Sequence, residues 1–385
     1  MSSAAKRLGL GCLALVLAFL AVAVLLSLFV AFFVLAHRPT RDVNVSGPTS
    51  PPRLVFACEL DAAPLAELFA DPSVIQQLRA LNAGVALALK DFGPQRTSVV
   101  QQLNQAGVPI TAWLALSKEQ GYYFNAGNAP EASTRYQQFR EWTDENHLKW
   151  SAVGLDIEPN LSEFGAFKDN RLSLLRVMAR RVFDRRRIVR ANQQYSALIH
   201  QIQSDGYPVQ TYQFVILADE RKAKSTLLQR MLGLVDVRGN DEVFMAYTSF
   251  NHSLDSALVW VYGPDAQVLA VGSTGSSGDP QLDARFPPLN WMEFSRDLIV
   301  AARFTPVVAI YSLEGCVRQD FLARLKEFNW NQTVSVAAGS VAKVQRFRRA
   351  LQTVLWTASH LPLVLPILLL CGWILWRVLR QKFGV

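Results

Sequence analysis

Between Leu54 and Glu314 short apolar runs recur eight times, each separated from the next by a stretch of helical periodicity, and nothing else in the chain restricts its fold so strongly. The runs are Leu54–Glu59, Gly84–Lys90, Ile110–Leu116, Ala152–Glu158, Val209–Leu217, Val243–Phe250, Val268–Ser273 and Val307–Glu314. Short apolar runs bounded by turn signals read as buried strands. Helical patterns fill the gaps at Ser73–Asn82, Arg96–Ala106, Ser133–His147, Arg171–Ser204, Glu220–Leu234, Ser253–Val261, Trp291–Arg303 and Val317–Asn329. Eight such alternations in roughly 280 residues predict an α/β chain folded as a (β/α)8 TIM barrel, whose usual size is about 250 residues. A doubly wound open sheet would need a glycine-rich phosphate loop after its first strand, where this chain has Cys58-Glu-Leu-Asp61.

Two apolar runs bracket that region. Leu8–Ala36 is uncharged, flanked by Lys6, Arg7, Arg38 and Arg41, and is longer than the roughly 20 residues a bilayer requires. Leu351–Trp376 is the second, with Trp356, Trp373 and Trp376 near its edges, where aromatic belts lie. The expected organisation is a transmembrane anchor at 1–37, a linker at 38–52, the barrel at 53–330, a basic juxtamembrane linker at 331–349, and a second transmembrane helix with a short tail at 350–385. Both termini then share one side of the membrane. The bases flanking the spans, five on the terminal side and six on the domain side, do not choose that side.

The formal charge of +8 belongs to these edges. Residues 1–41 and 331–385 hold 11 of the 39 Lys and Arg and no acids, leaving 28 bases against 31 acids in between, a net of −3. The basic run from Arg176 to Arg190 reads as a solvated helix face, and no nucleic-acid motif surrounds it, so no nucleic-acid partner is expected.

The most site-like stretch is Trp150–Asn160. Side chains alternate along a strand, so Gly154, Asp156 and Glu158 share one face while Val153, Leu155 and Ile157 share the other. Two acids on the inner face of a strand are costly without partners or a task, and Pro159 ends the pairing. Barrel sites lie at the C-terminal ends of strands. Those ends offer Glu59, Lys90, Trp113, Asp156, Glu158, Gln213, Tyr247 and Glu314, with aromatic surface from Tyr122, Tyr123, Phe124 and Phe250. The five histidines show no metal-ligand spacing and no GxSxG elbow is present, so neither a metal, a cofactor nor a serine nucleophile is expected. Gly272–Gly278 has the composition of a phosphate-cradling loop, or of a surface loop.

Ser151-Ala-Val-Gly-Leu-Asp-Ile-Glu158 resembles the DxxDxDxE strand of glycoside hydrolase family 18, the chitinase-like barrels, in its last Asp and its Glu. Met245-Ala-Tyr247-Thr248 is similar to that family's M-x-Y-D element, with Thr248 in place of the acid. The resemblance implies Glu158 as general acid, Asp156 orienting a substrate acetamido group, and Tyr247 hydrogen-bonding it. The residues alone also allow Glu158 to pair with Glu314 as acid/base and nucleophile, which calls for carboxyls about 5–5.5 Å apart. Trp113, Glu59 and Gln213 would bind substrate.

Two functions follow from different classes. One is a membrane-anchored glycosidase-like enzyme acting on glycan or polysaccharide at the cell surface. The other is a non-catalytic scaffold presenting a glycan- or protein-binding face, its rim acids paired with lysine or arginine. Cys58 and Cys316 lie outside the spans on neighbouring ends of the closed sheet, within reach of a disulfide. A bond there would agree with an extracytoplasmic domain.

Overall fold

The computed structural model describes residues 41–160, 177–275 and 284–362, with 364 and 366. Eight parallel strands close into a barrel: β2 (Arg53–Cys58), β3 (Gly84–Leu89), β4 (Ile110–Leu114), β5 (Ala152–Asp156), β6 (Val209–Phe214), β7 (Asp241–Met245), β8 (Val268–Gly272) and β9 (Val307–Tyr311). Each pairs with its sequence neighbour, and β9 returns to β2 with Ala57 opposite Tyr311. All eight expected strands are present, and each ends at or before its expected C-terminus.

The strands are apolar on both faces because helices cover the outside and side chains fill the inside; β3, Gly-Val-Ala-Leu-Ala-Leu, is buried throughout. Val55, Ala86, Tyr212, Val243, Met245, Val268, Ala270 and Ala309 form the inner core. Helices Pro72–Ala80, Pro94–Gln105, Ala129–Glu145, Arg185–Ser204, Ala257–Tyr262 and Trp291–Ala302 lie between strands where helical periodicity is read. Pro94 and Pro130 occupy first-turn positions, where a missing N–H costs nothing.

Three expectations are corrected here. Val209–Leu217 does not run on as a strand, since β6 stops at Phe214 and a helix begins at Ile216. Val307–Glu314 likewise stops at Tyr311; Ser312 caps helix Leu313–Arg318, its Oγ accepting from the Gly315 N–H at 3.2 Å. The stretches read as linkers carry paired strands, β1 (Val43–Ser46) and β10 (Thr333–Val336), which form an antiparallel ribbon. Asp42 beside β1 accepts from the Ala338 N–H at 2.9 Å, at the start of helix Ala338–Ser359.

The barrel unit comprises Pro39–Leu217 and Leu228–Val344. In the second unit the described residues are 218–227 and those from 345 onward. There Arg348 pairs with buried Asp219 at 2.7 Å, and Gln352 donates to the same oxygen. The span expected at Leu8–Ala36 lies outside the described residues, as does most of Leu351–Trp376 beyond 362. Among the described residues no helix is long and apolar enough to cross a membrane.

Candidate active site

A cavity opens at the C-terminal end of the barrel. Every strand that contributes to it does so by alternation: Ala57 and then Glu59, Trp113, Asp156 and Glu158, Tyr212 and Phe214, Met245 and Tyr247, and Tyr311. Ser249, Phe250, Ser273, Phe286 and Tyr123 complete the wall.

The β5 end is stitched on both sides. Ile157 donates its N–H to the Tyr212 carbonyl at 3.1 Å, Phe124 donates to the Asp156 carbonyl, and Glu158 donates back to Phe124, both at 3.0 Å. Asp156 and Glu158 therefore point inward on a backbone held beyond the formal strand end. Gly154 continues that face below them. A Cβ there would lie 3.0 Å from the Tyr212 ring, so the missing side chain leaves room for it.

Glu59 is fixed from two directions. Tyr122 donates its hydroxyl to Oε1 and Tyr311 to Oε2, each at 2.6 Å. Tyr122 reaches it from a turn in which its own φ is 63°, a left-handed conformation costly for a tyrosine. Both carboxylate oxygens are thus matched by phenol donors.

The three acids face one another without cations. Burial, then the charges of Glu158 and Glu59, push Asp156 well above its ordinary carboxyl value. Burial, then Glu59, push Glu158 up to about 8. Among the described residues no Lys or Arg pairs with Glu59, Asp156 or Glu158; Lys90 pairs with Asp61 at 2.6 Å and buried Arg96 with Asp91 at 2.8 Å. The cavity tyrosines Tyr123, Tyr247 and Tyr311 are raised by burial and by these carboxylates, so they remain neutral donors. Trp113 Nε1 and Asp156 Oδ1 are buried on the wall without a well-formed hydrogen bond, and the indole lies close enough to Asp156 to favour its charged form against the burial that opposes it.

The structure brings together Glu158, Asp156, Glu59, Trp113 and Tyr247, as expected from the sequence. It does not bring in Gln213 or Glu314. Gln213 sits one residue out of phase with Tyr212 and Phe214, faces away from the lumen and donates to the Val237 carbonyl. Glu314 is in the first turn of the helix after β9 and buried, beside Ser312 and the backbone of Glu59. Burial, with the Glu59 charge, raises it to about 7. It does not line the cavity, so the expected pairing of Glu158 with Glu314 across the mouth is not made.

Tyr212, Phe214, Phe286 and Tyr311 were not anticipated. The signal for the first two was present, since aromatic residues two apart share a strand face. Thr248, which replaces the acid of the M-x-Y-D element, donates to buried Asp297, which does not line the cavity. Cys58 and Cys316 are buried free thiols, so the bond that neighbouring strand ends would allow is not made; Thr274 Oγ1 lies 3.5 Å from the Cys316 sulfur. Of Gly272–Gly278, residues 276–278 lie outside the described residues. No metal-binding cluster of His, Cys, Asp and Glu occurs among the described residues.

The sequence matches no family model and no curated protein. Among solved structures the chain is similar to the PgaB (BpsB) glycoside hydrolase domain of Bordetella bronchiseptica, with 10% identity and a TM-score of 0.42 over 72% of this chain and 98% of that one. It is similar to D-allulose 3-epimerase from Methylomonas sp., with 10% identity and a TM-score of 0.38 over 79% and 99% of the two chains. Dihydropteroate synthase from Xanthomonas albilineans follows at 14% identity and a TM-score of 0.31, over 72% and 93%. The chemistry of the cavity rests on its own residues.

Proposed function

We propose that this chain is a membrane-anchored glycosidase-type barrel acting on glycan or polysaccharide, with Glu158 as general acid. The observation that carries the reading is the contrast among the three cavity carboxyls. Glycoside hydrolysis uses one carboxylic acid that still holds its proton and one carboxylate, kept apart by environment. Glu158, raised to about 8 by burial and by Glu59, holds its proton at neutral pH. Glu59 beside it is held as an acceptor, with a phenol donor on each oxygen. Asp156 and Trp113, which face each other on the wall, orient the sugar's polar groups. Tyr247, Phe250 and Phe286 offer ring faces at the mouth.

Anchoring rests on the two apolar runs Leu8–Ala36 and Leu351–Trp376. The barrel then lies outside the cytoplasm, and trypsin added to intact cells should cleave at exposed Lys118. Protection of that site until the membrane is permeabilised would reverse the orientation.

The test is the purified full chain in detergent, assayed against a panel of aryl glycosides and polysaccharides. Turnover that falls by roughly 10²–10⁴ in Glu158→Gln supports the assignment. A rate indifferent to that substitution sinks it. A non-catalytic glycan-binding barrel is the second reading, favoured by Thr248 standing where the resemblance has an acid. It predicts oligosaccharide binding with no turnover on any substrate, unaltered by Glu158→Gln.

A further inference from the structure

Phe250 and Phe286 form one side of the cavity mouth, their rings edge to face with centroids 5.0 Å apart. They come from different segments. Phe250 belongs to the loop Thr248–Asp255, and Phe286 to the stretch before helix Trp291–Ala302. The two ends of the Phe250 loop are pinned to one buried acid, since Thr248 donates to Asp297 Oδ2 and Ser256 to Oδ1. Between those pins, His252 adds a polar link to the ring contact of Phe250, reaching the Phe286 segment at the Pro287 carbonyl.

Both ring nitrogens of His252 face acceptors. Nδ1 lies 3.0 Å from Glu293 Oε1 and Nε2 lies 3.0 Å from the Pro287 carbonyl. Glu293 is itself fixed, its Oε2 accepting from the Asn290 N–H at 3.0 Å while Asn290 Oδ1 accepts from the Glu293 N–H. A neutral imidazole has one N–H and would turn a lone pair toward the second oxygen. An imidazolium has a donor for each.

We infer that His252 is a positioning residue for the cavity mouth: as an imidazolium it ties the Phe250 loop to the Phe286 segment, and on losing its proton it releases one of them. This deepens the glycan reading of the same cavity, and its test needs no substrate. Burial opposes the charge on His252, but the bonds to Glu293 and to the Pro287 carbonyl outweigh it and place the ring above its ordinary value. The hold is therefore complete below about pH 6.5, the unfolded value, and is lost as pH rises through the higher folded value.

Among the described residues the charged groups around the ring are few. Helix Trp291–Ala302 presents Glu293, buried Asp297, and Arg296, which pairs with Asp255 of the loop. On the Phe286 segment the charge is Arg285, whose guanidinium lies 5.1 Å from the Phe286 ring. Helix Ala338–Ser359 touches the loop through Ser340, which does not titrate. Asp297, raised to about 6 by burial, also ionises, but its charge strengthens the bonds it accepts and so acts in the opposite sense.

Hydrogen–deuterium exchange of the full chain in detergent, at pH 5.5 and pH 8 and corrected for intrinsic rates, tests this. Peptides covering 248–256 and 284–290 should lose about ten-fold protection at the higher pH, the size of one charge-assisted hydrogen bond. His252→Gln should show the less protected behaviour at both values. Glu293→Gln, which leaves the imidazole in place, should move the transition to lower pH. Protection independent of pH in the unsubstituted protein, or a transition unmoved in both variants, would overturn the inference. Failure of every glycoside to turn over would count against the glycosidase reading while leaving this result intact.

Discussion

Tyr311 donates its hydroxyl to Glu59 Oε2 at 2.6 Å, joining the last barrel strand to the end of the first directly above their backbone pairing at Ala57. The contact closes the top of the barrel and fixes the carboxylate that faces Glu158. Tyr311→Phe keeps the ring and removes the donor. A hydrogen bond to a charged group is worth about 1.5–3 kcal/mol, so the variant should lose about that much stability in urea unfolding. Tyr122→Phe removes the other donor, and the double variant should depart from additivity because both act on one group.

Activity on any glycoside that is turned over should be high below about pH 8 and fall above it. Glu158 works as an acid, and burial with the Glu59 charge holds its proton up to about 8. A rate profile from pH 5 to 9.5 checks the sign. A limb that instead rises through pH 8 would identify the working form as the carboxylate.

Stability should decrease between about pH 5 and pH 8, and Glu314 should account for part of the slope. Its folded value of about 7 lies above the unfolded 4.5, so the folded chain binds more protons and loses stability as pH rises between the two. Glu314→Gln removes the ionisation. It should stabilise the protein at pH 8 by about 1–3 kcal/mol relative to its effect at pH 5, read from denaturation at the two values.

Gly154→Ala would place a Cβ 3.0 Å from Tyr212 Cε2, 3.3 Å from Thr111 Cγ2 and 3.4 Å from the Trp113 backbone. The Tyr212 ring, the nearest neighbour, must give by a few tenths of an ångström. Overpacking of this kind costs about 1–3 kcal/mol. Thermal unfolding should show that loss, and oligosaccharide affinity should fall with it.

Much of this protein can be read from local pattern, because local pattern obeys short-range rules. Alternation alone put Asp156 and Glu158 on one face, and the spacing of apolar runs gave eight strands and the end of the barrel where a cavity forms. Alternation says nothing about where a strand stops. One residue of phase sent Gln213 outward in favour of Tyr212 and Phe214, and a Ser312 cap turned the expected strand end at Glu314 into a helix. Closure decided the rest. Tyr311 meets Glu59 across 252 residues and His252 meets Glu293 across 41, and no periodicity shorter than a turn of helix or a pleat of strand carries information over such separations. The raised values of Asp156 and Glu158 belong to the same class, since burial and the charge of Glu59 are properties of the closed barrel and not of the chain.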